Sequence, residues 1–167
     1  MSDTPALKSS FAPVADARVR LLVLGSLPGE VSLRKQQYYA YPHNQFWRLM
    51  GHVLRRELPA DYEARLAALL AAGVGLWDVV RTATRAGSLD ASIRGHQPNP
   101  LEGFVATLPR LRAVAFNGAT AAAIGRRALG GVAGVELVSL PSSSPAYTLA
   151  FARKAEAWAG LRRFLEN

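Results

Sequence analysis

Cysteine is absent from all 167 residues, which removes disulfides, thiol nucleophiles and thiolate-held iron–sulfur clusters at once. Lysine is almost as scarce: Lys8, Lys35 and Lys154 are the three among 20 basic residues, the rest being arginine. Acidic residues number only 12, so the chain carries a formal charge of +8. That balance favours a polyanionic partner such as nucleic acid, although an arginine bias in the coding sequence alone would produce the same charge. His43, His52 and His96 are the only histidines, and none stands at metal-ligand spacing with a carboxylate. No metal and no cofactor are therefore expected. Nor is there an apolar run of about 18 residues, so no helical membrane span is expected.

The N-terminal stretch 1–17 mixes Asp3, Lys8 and Asp16 with two prolines and has no hydrophobic signal core, so it reads as a flexible arm. Residues 18–167 read as one domain, long enough to bury a core, and half of all residues are hydrophobic. A cytoplasmic, nucleoid-associated monomer is the expectation.

Four short apolar runs predict strands: Arg18 to Gly25, Val74 to Asp78, Ala113 to Asn117 and Val135 to Pro141. Near-continuous apolar character is what parallel strands covered on both faces require. Helical spacing alternates with them at Asn44 to Arg56, Asp61 to Ala72, Ala119 to Leu129 and Thr148 to Glu166, with a shorter helix at Leu101 to Leu108. The stretch Thr82 to Pro100 is rich in turn residues and reads as a surface excursion. Strand–helix alternation predicts an α/β fold, a three-layer α/β/α sandwich around a mainly parallel four-stranded sheet.

Three segments at expected strand ends carry the chemistry. Gly25-Ser26-Leu27-Pro28-Gly29 follows the first strand and exposes backbone N–H groups that a ligand carbonyl can approach. It matches neither the dinucleotide pattern nor a P-loop. Tyr38 to Trp47 crowds aromatics around Asn44: the tyrosines offer a stacking face for a base, and Asn44 either caps a helix or holds a water in a dry pocket. Ser142, Ser143 and Ser144 lie between Pro141 and Pro145 ahead of a helix, as in an anion site, or else as helix caps. Asp78 and Asn117 each close a strand. Both suit turns, and Asp78 also suits accepting a hydrogen bond from a base's lactam N–H.

Together these segments resemble the uracil-DNA glycosylase superfamily, and most closely its deoxyinosine (hypoxanthine-DNA) glycosylase branch. Gly25 to Gly29 looks like the first motif, Pro42-His43-Asn44-Gln45-Phe46-Trp47 like the P-x-N-x-F-W block shared with mismatch-specific relatives, and Leu140 to Ser144 like the second motif. The likeness runs from about Arg20 to Glu166. It implies that Gly25, Leu27, Pro28 and Gly29 meet the base, that Tyr39 stacks on it, and that Ser142, Ser143 and Ser144 pinch the flanking phosphates. Asp78 stands where uracil-specific relatives carry a base-reading Asn. Two departures are visible. Ser26 takes the place of the water-positioning Asn of the first motif, and Leu140 that of the His of the second. The resemblance implies that Asn44 does the catalytic work, with Ser26 beside it.

The expected function is thus a monofunctional DNA glycosylase that flips a deaminated base, hypoxanthine or uracil, out of DNA and hydrolyses its N-glycosidic bond. A damaged-DNA-binding module with weak catalysis, and an enzyme for free nucleotides or nucleosides in the same crevice, remain open alternatives.

Overall fold

A computed structural model describes residues 6–166 and arranges them as two sheets with helices packed around the larger one. In chain order come β1 (Leu7–Ser9), β2 (Leu21–Gly25), α1 (Glu30–Lys35), α2 (Phe46–Leu54), α3 (Tyr62–Ala71) and β3 (Val74–Asp78). Then follow β4 (Val80–Thr84), β5 (Arg94–Pro98), α4 (Leu101–Val105), β6 (Ala113–Asn117), α5 (Ala119–Leu129), β7 (Glu136–Leu140), α6 (Phe151–Ala159) and α7 (Arg162–Leu165).

The main sheet has the order β3-β2-β6-β7, every pair parallel, with Leu21 opposite both Val74 and Ala113. β2, β3 and β6 are buried on both faces, edge strand β7 is fully buried only at Leu140, and the pleat sorts their side chains. Leu21, Val23, Leu76 and Ala115 join Phe46, Leu49, Met50, Leu69 and Trp158 on the face covered by α2, α3 and α6. Leu22, Leu24, Val114 and Phe116 join Val80, Leu101, Val105 and Ala121 on the other face, beneath α4 and α5. The approach of α5 is close. A β-carbon on Gly125 would sit 2.1 Å from a Phe116 ring carbon, so only glycine lets this helix lie on β6.

The chain leaves β2 to pair β3 on one side and later returns to place β6 on the other. The ends of β2 and β6 therefore flank a topological switch point, where open α/β sheets bind ligands.

Three expectations are corrected here. The stretch 82–100 is not a plain excursion: β4 and β5 pair antiparallel, and β1 adds to β4, making a second, three-stranded sheet. Every residue of β5 is exposed, so it has no apolar pattern to read. The expected arm is stitched to the domain from Leu7 onward, residues 1–5 lying outside the described residues. Val14 bridges Leu76, the Trp77 indole donates to Phe11 O at 2.9 Å, and the Tyr38 hydroxyl donates to Ala12 O at 2.8 Å. Finally, the long C-terminal helix is two helices that part at Gly160, and α6 starts at Phe151 rather than Thr148. The inward stripe of Trp158, Leu161 and Phe164 continues across the break.

Candidate active site

The Gly25–Gly29 loop spends all its carbonyls inward. Gly25 O and Ser26 O accept from the N–H groups of Val79 and Val80 at 2.8 and 3.1 Å, and Gly29 O accepts from Leu33 N at 2.9 Å. Leu27 O accepts from Arg85 Nη1 at 3.4 Å and Pro28 O from Arg85 Nη2. Among the described residues, the N–H groups of Ser26, Leu27 and Gly29 have no partner. Such a loop is an array of unspent donors, suited to an oxygen on which negative charge develops. The Ser26 hydroxyl is not spare: it donates to Asp90 Oδ1 at 2.6 Å. Ser26 is thus held by a carboxylate, not poised to orient a water.

At the end of β3, Asp78 is only 4% exposed, and its Oδ2 has no hydrogen-bond partner. Burial, reinforced by the charge of Asp90 and opposed by that of Arg85, pushes its carboxyl up to about 7. Asn99 secures the strand end from behind, its Nδ2 donating to Asp78 O at 2.7 Å. A β-carbon on Gly25 would lie 2.7 Å from Asp78 Oδ1 and 2.8 Å from the Tyr39 hydroxyl oxygen. Glycine is therefore what lets these two polar tips meet over the end of β2.

Tyr39 adopts a left-handed backbone (φ 54°), uncommon for a bulky residue. Its ring stacks on Phe46 at 3.9 Å with 19° between the planes. The Trp47 indole donates to Tyr39 O at 3.2 Å and holds the turn. Burial and the Asp78 charge raise the Tyr39 phenol, which stays protonated. Tyr38 and Tyr41 behave differently: Tyr38 is a core residue, and Tyr41 is exposed, edge-on to His43.

One amide network joins the other two segments. Asn117, at the end of β6, accepts from Ser143 N at 2.9 Å and donates from Nδ2 to Ser143 Oγ at 2.9 Å and the Tyr39 hydroxyl oxygen at 3.3 Å. Ser143 Oγ in turn donates to Asn44 Oδ1 at 2.8 Å, which also accepts from Phe46 N at 2.9 Å. Backbone N–H groups only donate, so the atoms they meet on Asn44 and Asn117 must be the oxygens. Both amides are thereby oriented. The Asn44 Nδ2 has no partner among the described residues and is the group left to act.

The serine loop is braced as well. Ser143 O accepts from Gln45 N at 2.9 Å, and the Trp158 indole donates to Pro141 O at 2.9 Å. Buried Lys154 donates to Gln45 Oε1 at 3.0 Å and Ser144 O at 3.1 Å, pinning the P-x-N block to this loop. The Ser142 and Ser144 hydroxyl oxygens accept from Ser144 N and Ala146 N, which leaves their protons free. Ser143, expected at a phosphate, is instead 1% exposed with both hydroxyl functions spent inside.

Of the residues expected to form the site, Asp78 and Tyr39 come together over Gly25, Tyr39 is linked through Asn117 to Ser143 and Asn44, and Ser26 turns to Asp90. Arg85, Asp90 and Lys154 join them without having been marked in the sequence, and Asn117, which suits a turn, is the hub. Lys154 was readable in principle, since it lies four residues from Trp158 on the same helix face. Two open surface clefts, about 260 and 430 Å³, lie beside Arg20 and Arg162 and beside Phe11 and Tyr62. Buried polar chemistry, not volume, marks this site. Among the described residues no group of three or more His, Asp or Glu is placed to hold a metal ion.

Residues 12–162 match the profile of the Uracil DNA glycosylase superfamily. A hypoxanthine DNA glycosylase of Methanosarcina acetivorans is 42% identical over 141 residues, 84% of this chain and 88% of that one. Another from Methanosarcina barkeri is 43% identical over 112 residues, 66% and 71% of the two chains. A solution NMR structure of a candidate uracil DNA glycosylase from Methanosarcina acetivorans superposes with a TM-score of 0.86 at 39% identity, covering 97% of this chain and all of that one.

Proposed function

This chain belongs to the uracil DNA glycosylase superfamily, and from that premise we propose that it excises a deaminated base, hypoxanthine before uracil, from DNA by hydrolysing the N-glycosidic bond. A deaminated base pairs weakly, so extruding it costs less than extruding a normal one. Arginines on the +8 surface hold the backbone, and the free hydroxyl protons of Ser142 and Ser144 meet phosphate oxygens. The base stacks against the Tyr39 ring, which Phe46 supports from behind. Its lactam oxygen faces the unspent N–H groups of the Gly25–Gly29 loop, and its lactam N–H points to Asp78 Oδ2. An ionised Asp78 accepts that N–H and repels the lone pair that adenine carries at the same place. This is how the site tells a deaminated purine from its parent.

When the glycosidic bond breaks, its electron pair goes to the base and positive charge to the sugar. The loop donors stabilise the base oxygen, a contribution of about 3 kcal/mol for each well-aimed donor. Asn44 Nδ2 holds the water whose oxygen bonds to the sugar carbon. The water ends as a sugar hydroxyl and a proton on the base, so one water is consumed and an abasic site remains.

A single observation carries this reading: Ser143 and Asn44, 99 residues apart, are hydrogen-bonded at 2.8 Å beside the Gly25 loop. The test is a panel of labelled duplexes carrying hypoxanthine, uracil, xanthine or mispaired thymine, cleaved at abasic sites after incubation. Hypoxanthine is expected to be released fastest, and Asn44→Ala to lower the rate about 10²-fold. Tight binding without release on every duplex would instead support a damage-binding module.

A further inference from the structure

The stretch 82–100 contributes a buried cation that the reading above leaves without work. Arg85 is 1% exposed, and its guanidinium lies wholly inside the protein. Nε donates to Gly87 O at 3.0 Å, while Nη1 and Nη2 take the carbonyls of Leu27 and Pro28. Asp90 stands 3.9 Å from Nη1, and the same carboxylate oxygen accepts from Ser26 Oγ. Two charged side chains from one excursion thus grip three consecutive residues of the Gly25–Gly29 loop from behind. With Asp90 partly open to solvent and 3.9 Å away, this ion pair is a poor stabiliser, since its attraction is screened while the enclosed guanidinium is desolvated. Its use is directional. A guanidinium fork holds carbonyls in fixed planes, and turning the Leu27 and Pro28 carbonyls inward commits the loop's N–H groups to the opposite side.

We propose that Arg85, with Asp90 as its counter-charge, is a positioning pair for base excision: neither touches the base, and both act by holding the Gly25–Gly29 donors toward the oxygen of the leaving base. This rests on the proposed excision of deaminated bases. It assigns to Arg85 and Asp90 a role in bond cleavage rather than in DNA affinity. A fixed positive charge behind the donors works in the same direction, because the departing base is negative.

The experiment is single-turnover excision from duplexes carrying hypoxanthine, uracil or 5-fluorouracil, with the whole chain and with Arg85→Lys, Arg85→Met and Asp90→Asn. Wild-type inactivity on all three duplexes would overturn the excision reading itself. With an active wild type, Arg85→Met is expected to lower the maximal rate about 10²-fold while the half-saturating enzyme concentration stays within about threefold. Arg85→Lys keeps the charge without the fork and should fall between. The loss should be smaller on 5-fluorouracil, a more acidic leaving group that needs less help from the donors. A purely structural role would weaken all three substrates equally. Asp90, whose side chain reaches solvent, gives a variant that folds even where the Arg85 variants do not. Asp90→Asn is expected to lose about tenfold in maximal rate with the same dependence on the leaving group. Equal losses on all three bases, losses confined to DNA affinity, or an unchanged Asp90→Asn would each overturn the positioning role.

Discussion

The two loops that close this crevice have opposite hydrogen-bond economies. In the Gly25–Gly29 loop every carbonyl is engaged from behind and the amides of Ser26, Leu27 and Gly29 are left open. In the Pro141–Ser144 loop the central residue is consumed. Ser143 uses its amide, its carbonyl and both functions of its hydroxyl to tie Asn117, Gln45 and Asn44 together. One loop is a surface presented to a ligand, and the other is a keystone with two free hydroxyl protons at its shoulders. Three serines in a row therefore have two different jobs.

Changes at the first loop should act on chemistry. Gly25→Ala is expected to have the largest effect, about 10³-fold in excision rate, because its methyl would occupy the space of Asp78 Oδ1 and the Tyr39 hydroxyl. Single-turnover rates on a deoxyinosine duplex test this. A near-normal rate would mean that those tips move aside freely. At the keystone, Ser143→Ala is expected to cost about 1–3 kcal/mol of stability and roughly tenfold in rate, since it removes the hydroxyl that joins the Asn44 and Asn117 amides. Denaturant unfolding beside the rate measurement separates the two. Loss of DNA affinity with full stability would return Ser143 to the phosphate.

Asp78 supplies a pH test. Its folded-state carboxyl lies near 7, above the ordinary value of 3.8, so the folded protein binds a proton that the unfolded chain has released between those limits. Stability from this group is therefore present at low pH and lost as pH rises from about 4 to about 7. Asp78→Asn should flatten that slope in thermal melts at pH 5 and pH 8. It should also remove the rise in excision rate that the wild type shows as Asp78 ionises, with a smaller loss than that of Gly25→Ala, because the Asn oxygen still accepts a lactam N–H. The smallest effects belong to the shoulders of the serine loop. Ser142→Ala and Ser144→Ala should each weaken DNA binding only a few-fold, shallow the salt dependence slightly, and leave the maximal rate alone. A loss in maximal rate would break the division between the loops.

Most of the framework was legible because parallel strands announce themselves. Val74–Asp78 and Ala113–Asn117 are continuous apolar runs, and the structure bounds them at the residues expected. The second sheet was not legible, for a physical reason: β5 is Arg-Gly-His-Gln-Pro, held by main-chain pairing to β4 with no apolar face to bury. For the site, the residues that meet a ligand stood in glycine-, proline- and serine-rich turns at strand ends, where composition flags them. Composition says less about what the residues that act on other residues do. Asn117 looks like any residue before a glycine, and its task appears only when Ser143 and Tyr39 arrive from distant segments. Arg85 looks like a surface arginine among turn formers, and only the path of the Leu27–Pro28 backbone shows that it is enclosed.

The tryptophans give the molecule an optical handle. Of the three in the chain, Trp47 ends on the carbonyl of Tyr39 and Trp158 on that of Pro141, one on each wall of the crevice. The third, Trp77, is tied to Phe11 at the sheet edge and serves as an internal reference. Intrinsic emission is thus wired to both walls, and entry of a lesion between them can be followed without attaching a dye.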